Sequence, residues 1–183
     1  MKPGETAIFC VGAAAAALPR HAARELLRIS DGWELEFERW ERDESATDTT
    51  ATRKTKIQLG AVPMKPWTEL LGPDASGIGF YKKAIDLSGE TAEKIVQLTF
   101  SDIRCQSVHL YINGEKVPVN HLNWTADCTE KFHAGENTVQ VVVVSTLGNQ
   151  LLAYGAFPTM PWMKTKEEPV EFGLLGDVVL QGE

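Results

Sequence analysis

Cysteine and histidine are scarce in this sequence, and positive charge is in the minority. Three cysteines in 183 residues, Cys10, Cys105 and Cys128, are too few for a disulfide-stapled miniprotein and leave one thiol unpaired under any pairing. They fit no metal-ligand spacing and read as small buried apolar side chains, with a Cys105–Cys128 bridge left open. The four histidines, His21, His109, His121 and His133, never fall at H-x-x-x-H or H-E-x-x-H spacing, so no zinc site is expected. With 18 Lys and Arg against 25 Asp and Glu, the chain lacks the basic excess that neutralises a phosphate backbone, and nucleic acid is not an expected partner. No apolar run approaches the roughly 20 residues of a membrane-spanning helix. The nucleophile elbow G-x-S-x-G and the phosphate-cradling G-x-x-x-x-G-K-[ST] and G-x-G-x-x-G loops are also missing. No cofactor is identified, although a calcium site built from backbone carbonyls would leave no trace in sequence.

What is present is enough apolar material for a core, since 43% of the residues are hydrophobic. Residues 1–30 read as a separate N-terminal segment, the end of a preceding domain or a linker. Its apolar stretch Ala7–Leu18 sits behind a single Lys2, and Glu5 argues against a secretory signal. Thr6–Val11 reads as a short strand, and Arg20–Ile29 has the composition of a short helix opened by Pro19.

From Trp33 the period changes to two. In Trp33-Glu34-Leu35-Glu36-Phe37-Glu38 every odd position is apolar and every even one acidic, the signature of a half-buried strand. Residues 41–52 are polar and threonine-rich, an exposed loop. Further strands are expected at 56–59, 78–87, 94–100, 107–111, 138–145 and 177–181, with Asn113-Gly114 supplying the strongest hairpin signal. Many short strands with scarcely any helical period predict an all-β antiparallel sandwich over residues 31–183.

The motifs in these strands carry a resemblance. Ser76-Gly77-Ile78-Gly79-Phe80-Tyr81-Lys82-Lys83, Val108 to Glu115 with its Asn113-Gly114 turn, Asp127-Cys128-Thr129 and Ala134-Gly135-Glu136-Asn137 follow one another in a familiar order and spacing. With Trp33–Phe37 at one end and Gly173 to Val178 at the other, they resemble the galactose-binding-like jelly-roll domains of glycoside hydrolase family 2 and rhamnosidase-like enzymes. Cys128, Asp177 and the long 41–52 loop depart from that pattern. The resemblance implies a jelly-roll sandwich that is the C-terminal accessory module, a fragment, of a larger glycoside hydrolase. Its partners would be carbohydrate and the parent's catalytic domain, and the catalytic acids would lie in a separate barrel domain.

Each motif also has its own physical reason. Asn113 and Gly114 tolerate the positive φ of a type I′ turn, Asp127 caps the turn that follows it, and Gly135 with Asn137 supplies left-handed backbone. Two acids are the minimum for glycoside hydrolysis. Glu34, Glu36 and Glu38 alternate as a solvated face, and Glu167 and Glu168 sit in a Pro-flanked polar stretch, so no catalytic residue is assigned. Sugar recognition combines aromatic rings with polar side chains. The residues that meet this description are Trp67, His121, Asn123, Trp124 and Trp162, the other reading of a tryptophan in a Pro-rich loop being a plug for the core end or an interdomain contact. Strand parity places loops 60–77, 101–106 and 120–126 at one end of the sandwich. The chain is therefore expected to be a carbohydrate-binding or structural module. The alternative is an adhesion or protein-interaction sandwich.

Overall fold

A computed structural model describes residues 24–47, 51–155 and 168–182. Strands take up 53% of the described residues and helices 11%. In chain order the elements are β1 (Arg24–Ile29), β2 (Trp33–Arg42), β3 (Thr52–Val62), α1 (Trp67–Leu70), β4 (Gly77–Leu87), α2 (Gly89–Lys94) and β5 (Ile95–Phe100). They continue with β6 (Ile103–Arg104), β7 (Ser107–Ile112), β8 (Glu115–Val117), β9 (Val119–Asn120) and β10 (Thr125–Asp127). The last are β11 (Gly135–Val144), α3 (Gly148–Ala153), β12 (Gly173–Leu174) and β13 (Val178–Gly182).

Two antiparallel sheets face each other. One has the order β1-β13-β5-β10-β9 and the other β3-β2-β4-β11-β7-β8, while β12 and β6 form a small ribbon. Alternation decides what lies between the sheets. Trp33, Leu35 and Phe37 from β2, Tyr81 from β4 and Val139, Val141 and Val143 from β11 meet Leu98, Val178 and Leu180 from the opposite sheet in one cluster of buried side chains. The acidic positions of β2 then fall on the outer face, as period two requires.

The helix expected at 20–29 is absent from the described residues of that range. Its described part, Arg24–Ile29, is a strand that pairs antiparallel with β13 from Arg24↔Gly182 to Ile29↔Val178. Helix-forming composition is a weak preference, and an open sheet edge that offers backbone partners overrides it. The strand lies within the segment 1–30, yet its partner β13 belongs to the sandwich. The expected strand at Thr6–Val11 lies outside the described residues. A helix was missed at α2, where Ser88 accepts a hydrogen bond from the Thr91 amide and caps the first turn.

The turn chemistry follows the sequence closely. Asn113 and Gly114 take φ of 52° and 81° between β7 and β8. The Asn113 side chain also accepts from the Thr138 amide at 2.9 Å and donates to the Asn137 carboxamide at 2.9 Å, locking the hairpin to β11. Asp127 accepts from the Thr129 amide at 3.0 Å and from its hydroxyl at 2.7 Å. Gly135 has φ of 87°, but Asn137 lies in a regular strand and acts through its buried carboxamide, which donates to the carbonyls of His133 and Gly135.

Candidate functional site

The expected convergence of loops at one sandwich end is present in the backbone. The Phe100 amide donates to the Trp124 carbonyl at 2.9 Å, the Ser101 amide to Asp177, and the Trp67 amide to the Phe172 carbonyl. Loops from both sheets therefore meet around the β6–β12 ribbon. The side chains within them have different fates.

Trp67 faces inward. After β3 the chain turns back beneath the second sheet, and α1 inserts the indole at the level of Phe37 and Gly79. The ring has no exposure, meets Phe37 edge-on at 4.8 Å between centroids and lies 6.4 Å from Phe172. Its Nε1–H donates to the Tyr81 hydroxyl at 2.7 Å. A Cβ on Gly79 would come within 2.5 Å of the indole, so glycine there makes room for the ring. Trp67 has no free face on which a sugar can stack and is corrected from a binding candidate to a core residue.

His121, Asn123 and Trp124 do come together, in the turn between β9 and β10. The imidazole and indole meet edge to face at 5.4 Å between centroids. Trp124 takes a φ of 56°, which non-glycine residues rarely adopt, and its ring packs partly against the core. The Asn123 side-chain oxygen is already engaged, accepting from the Thr125 hydroxyl at 2.8 Å. Leu122 stands out at 71% exposure. The turn thus offers one half-buried ring and one imidazole, with part of its polar capacity spent on its own geometry. Trp162 lies outside the described residues.

Carboxylate chemistry gives a consistent picture. Hydrogen bonds from Lys56 and Gln58 hold Glu36 below its usual range, the Thr129 amide does so for Asp127, and Arg28 does so for Asp177. Asp43 and Glu90 are lowered in the same way by Ser45 and Lys94. A glycosidase acid needs the opposite shift, upward, so that it still holds its proton at neutral pH. Cys105 and Cys128 are both free thiols, pushed by burial up to about 11 and about 12. Among the described residues no cluster of His, Cys, Asp and Glu could hold a metal ion, and no helix is long and apolar enough to cross a membrane.

Sequence reasoning overlooked the outer face of the larger sheet. There Trp40 continues the even-numbered row of Glu34, Glu36 and Glu38, and its Nε1–H donates to Glu38 Oε1 at 2.7 Å. Lys54 of β3 lies over the Trp40 ring at 4.8 Å, and Lys56 lies 5.9 Å from the centre of Phe80. The signal was available: an aromatic residue breaks an acidic row at Trp40, and Ile78 and Phe80 put apolar groups at the outward positions of β4.

Neither a family model nor a curated protein sequence matches the chain. Solved structures do. A rhamnosidase from Novosphingobium sp. PP1Y aligns with a TM-score of 0.59 at 19% identity, covering 92% of this chain and 16% of its own. A β-glucuronidase from Ruminococcus gnavus gives 0.53 at 16% identity over 90% of this chain and 30% of its own. A β-D-mannosidase from Dictyoglomus thermophilum gives 0.51 at 17% identity over 85% and 22%. The protein is thus an antiparallel β-sandwich of a kind found within glycoside hydrolases, and it spans less than a third of each of these chains.

Proposed function

We propose that this chain is a non-catalytic accessory module of a larger glycoside hydrolase, built on a galactose-binding-like jelly roll. One observation carries the reading: nearly the whole chain superposes on a small fraction of a rhamnosidase. The motif order from Ser76 to Asn137 supports it independently. At the loop end the module acts as scaffold, because Trp67 is spent on the core.

The test is turnover. The purified chain is expected to release no chromophore from a panel of aryl α- and β-glycosides. Activity that copurifies with the chain and disappears in Glu36→Gln or Glu168→Gln overturns the assignment.

A second reading, a protein-interaction sandwich unrelated to sugar hydrolysis, is favoured by one feature. Leu147, Leu151 and Tyr154, at 37%, 43% and 46% exposure, lie one turn apart along α3 and its flanks. Exposed apolar side chains spaced in this way commonly mark contact surfaces.

A further inference from the structure

The outer face of β3, β2, β4, β11 and β7 carries a composition that a solvated sheet face does not need. Register defines its rows. Glu36 of β2 lies opposite Gln58 on one side and Phe80 on the other, and Phe80 lies opposite Val142, which lies opposite His109. In the next row Glu38 lies between Lys56 and Ile78, and Ile78 is followed by Val144. Trp40 extends the β2 column past the start of β4, with Lys54 as its cross-strand neighbour. The face therefore presents Trp40, Ile78 and Phe80 on one side of the sheet, each of them partly open to solvent.

Around Trp40 and Phe80 the four charges Glu36, Glu38, Lys54 and Lys56 are matched. Lys56 bonds Glu36 at 2.8 Å, and Lys54 pairs with Glu38 at 3.7 Å. Both carboxylates also accept from neutral or weakly polar donors, Glu36 from Gln58 and Glu38 from the Trp40 indole. The lysines remain accessible, with 56% and 65% of their side chains exposed, while the carboxylates beneath them are at 20% and 30%. The result is a net-neutral grid of fixed donors and acceptors beside aromatic rings. A polyanion or polycation would leave half of that grid repelled. An uncharged polyhydroxylated chain meets no such repulsion: its hydroxyls exchange hydrogen bonds with the ion pairs while its C–H faces stack on the rings, displacing the exposed Lys54 and Lys56 ammoniums that lie over them.

We propose that this face binds a neutral oligosaccharide or polysaccharide along the Trp40–Phe80 diagonal. Phe80 is level with Glu36, and Trp40 is four residues further along β2, a separation of about 13 Å at the rise of a β-strand. A single sugar ring cannot bridge that distance, so the ligand is an oligomer. This inference rests on the accessory-module reading and gives it a binding surface.

Affinity electrophoresis of the folded chain through gels containing soluble β-glucan, xylan, galactomannan or polygalacturonate tests it. At least one neutral polymer is expected to retard the chain. Trp40→Ala and Phe80→Ala should each weaken that retardation about tenfold, as the loss of a stacking anchor does, while Trp124→Ala changes it by less than about twofold. Both variants replace partly exposed outer-face residues, so an unchanged melting temperature confirms that they are folded. Three outcomes overturn the proposal: no retardation by any neutral polymer, retardation insensitive to both substitutions, or retardation by polygalacturonate alone that is lost in Lys54→Ala. Self-association that is abolished by Trp40→Ala would likewise show that the face is covered by a second copy. None of these outcomes bears on the turnover test, so the binding surface can fail while the accessory-module reading stands.

Discussion

The indole N–H of Trp67 and the hydroxyl of Tyr81, 2.7 Å apart, tie the segment that follows β3 to the middle of β4. The same hydroxyl accepts from the Leu174 amide at 3.3 Å, so one buried oxygen joins three distant parts of the chain. Burial pushes the Tyr81 hydroxyl up to about 12, which keeps it neutral and able to serve this role across the physiological range.

A stability series follows from that arrangement. Trp67→Ala is expected to cost about 3 to 5 kcal/mol, the usual loss for a fully enclosed aromatic. Tyr81→Phe keeps the ring but leaves two buried N–H groups without an acceptor, at roughly 1 to 3 kcal/mol. Trp124→Ala should cost clearly less than Trp67→Ala, because only part of its ring is packed. Urea unfolding followed by circular dichroism ranks the three, and a Trp124→Ala loss equal to that of Trp67→Ala would contradict the placement of the two rings.

The pattern of strands was legible because period two survives wherever one face is buried and the other wet. β2 shows this best, from Trp33 to Glu38. Asn113-Gly114 was legible for a different reason: few residue pairs accept positive φ twice in succession. The β1 strand was not, since RELLRI is locally helical and only the edge of β13, about 150 residues away in sequence, supplies its partners. Trp67 illustrates the same limit for the site. A tryptophan in a proline-rich loop can stack on a sugar or plug the end of the core, and nothing local decides between them; here the loop folds back so that the ring fills the space left by Gly79. Trp40 and Lys54 meet through a hairpin register that the polar 41–52 segment conceals.

Acid should weaken the fold in a definite window. Asp127 is lowered from its ordinary 3.8 by the Thr129 amide and hydroxyl, and Asp177 and Glu36 are lowered by Arg28 and Lys56. A carboxylate with a depressed folded-state pKa adds stability that is present above its unfolded value and disappears as pH falls through the folded one. The melting temperature is therefore expected to hold nearly constant down to about pH 5 and to drop below about pH 4. Asp127→Ala should lower it at pH 7 and flatten the acid decline. A decline of the same steepness in Asp127→Ala as in the parent chain would remove Asp127 from this role.

The measurement closest to the central claim is the size of the polypeptide in which these residues occur in the native organism. Antibodies raised against the 20.2 kDa chain, used on extracts of the source cells and their medium, are expected to detect a band several times larger. Tryptic peptides from both this sandwich and a barrel domain with two carboxylates should map to that band. A native product running at about 20 kDa by mass, with no additional domain in its peptide map, would contradict the accessory-module account.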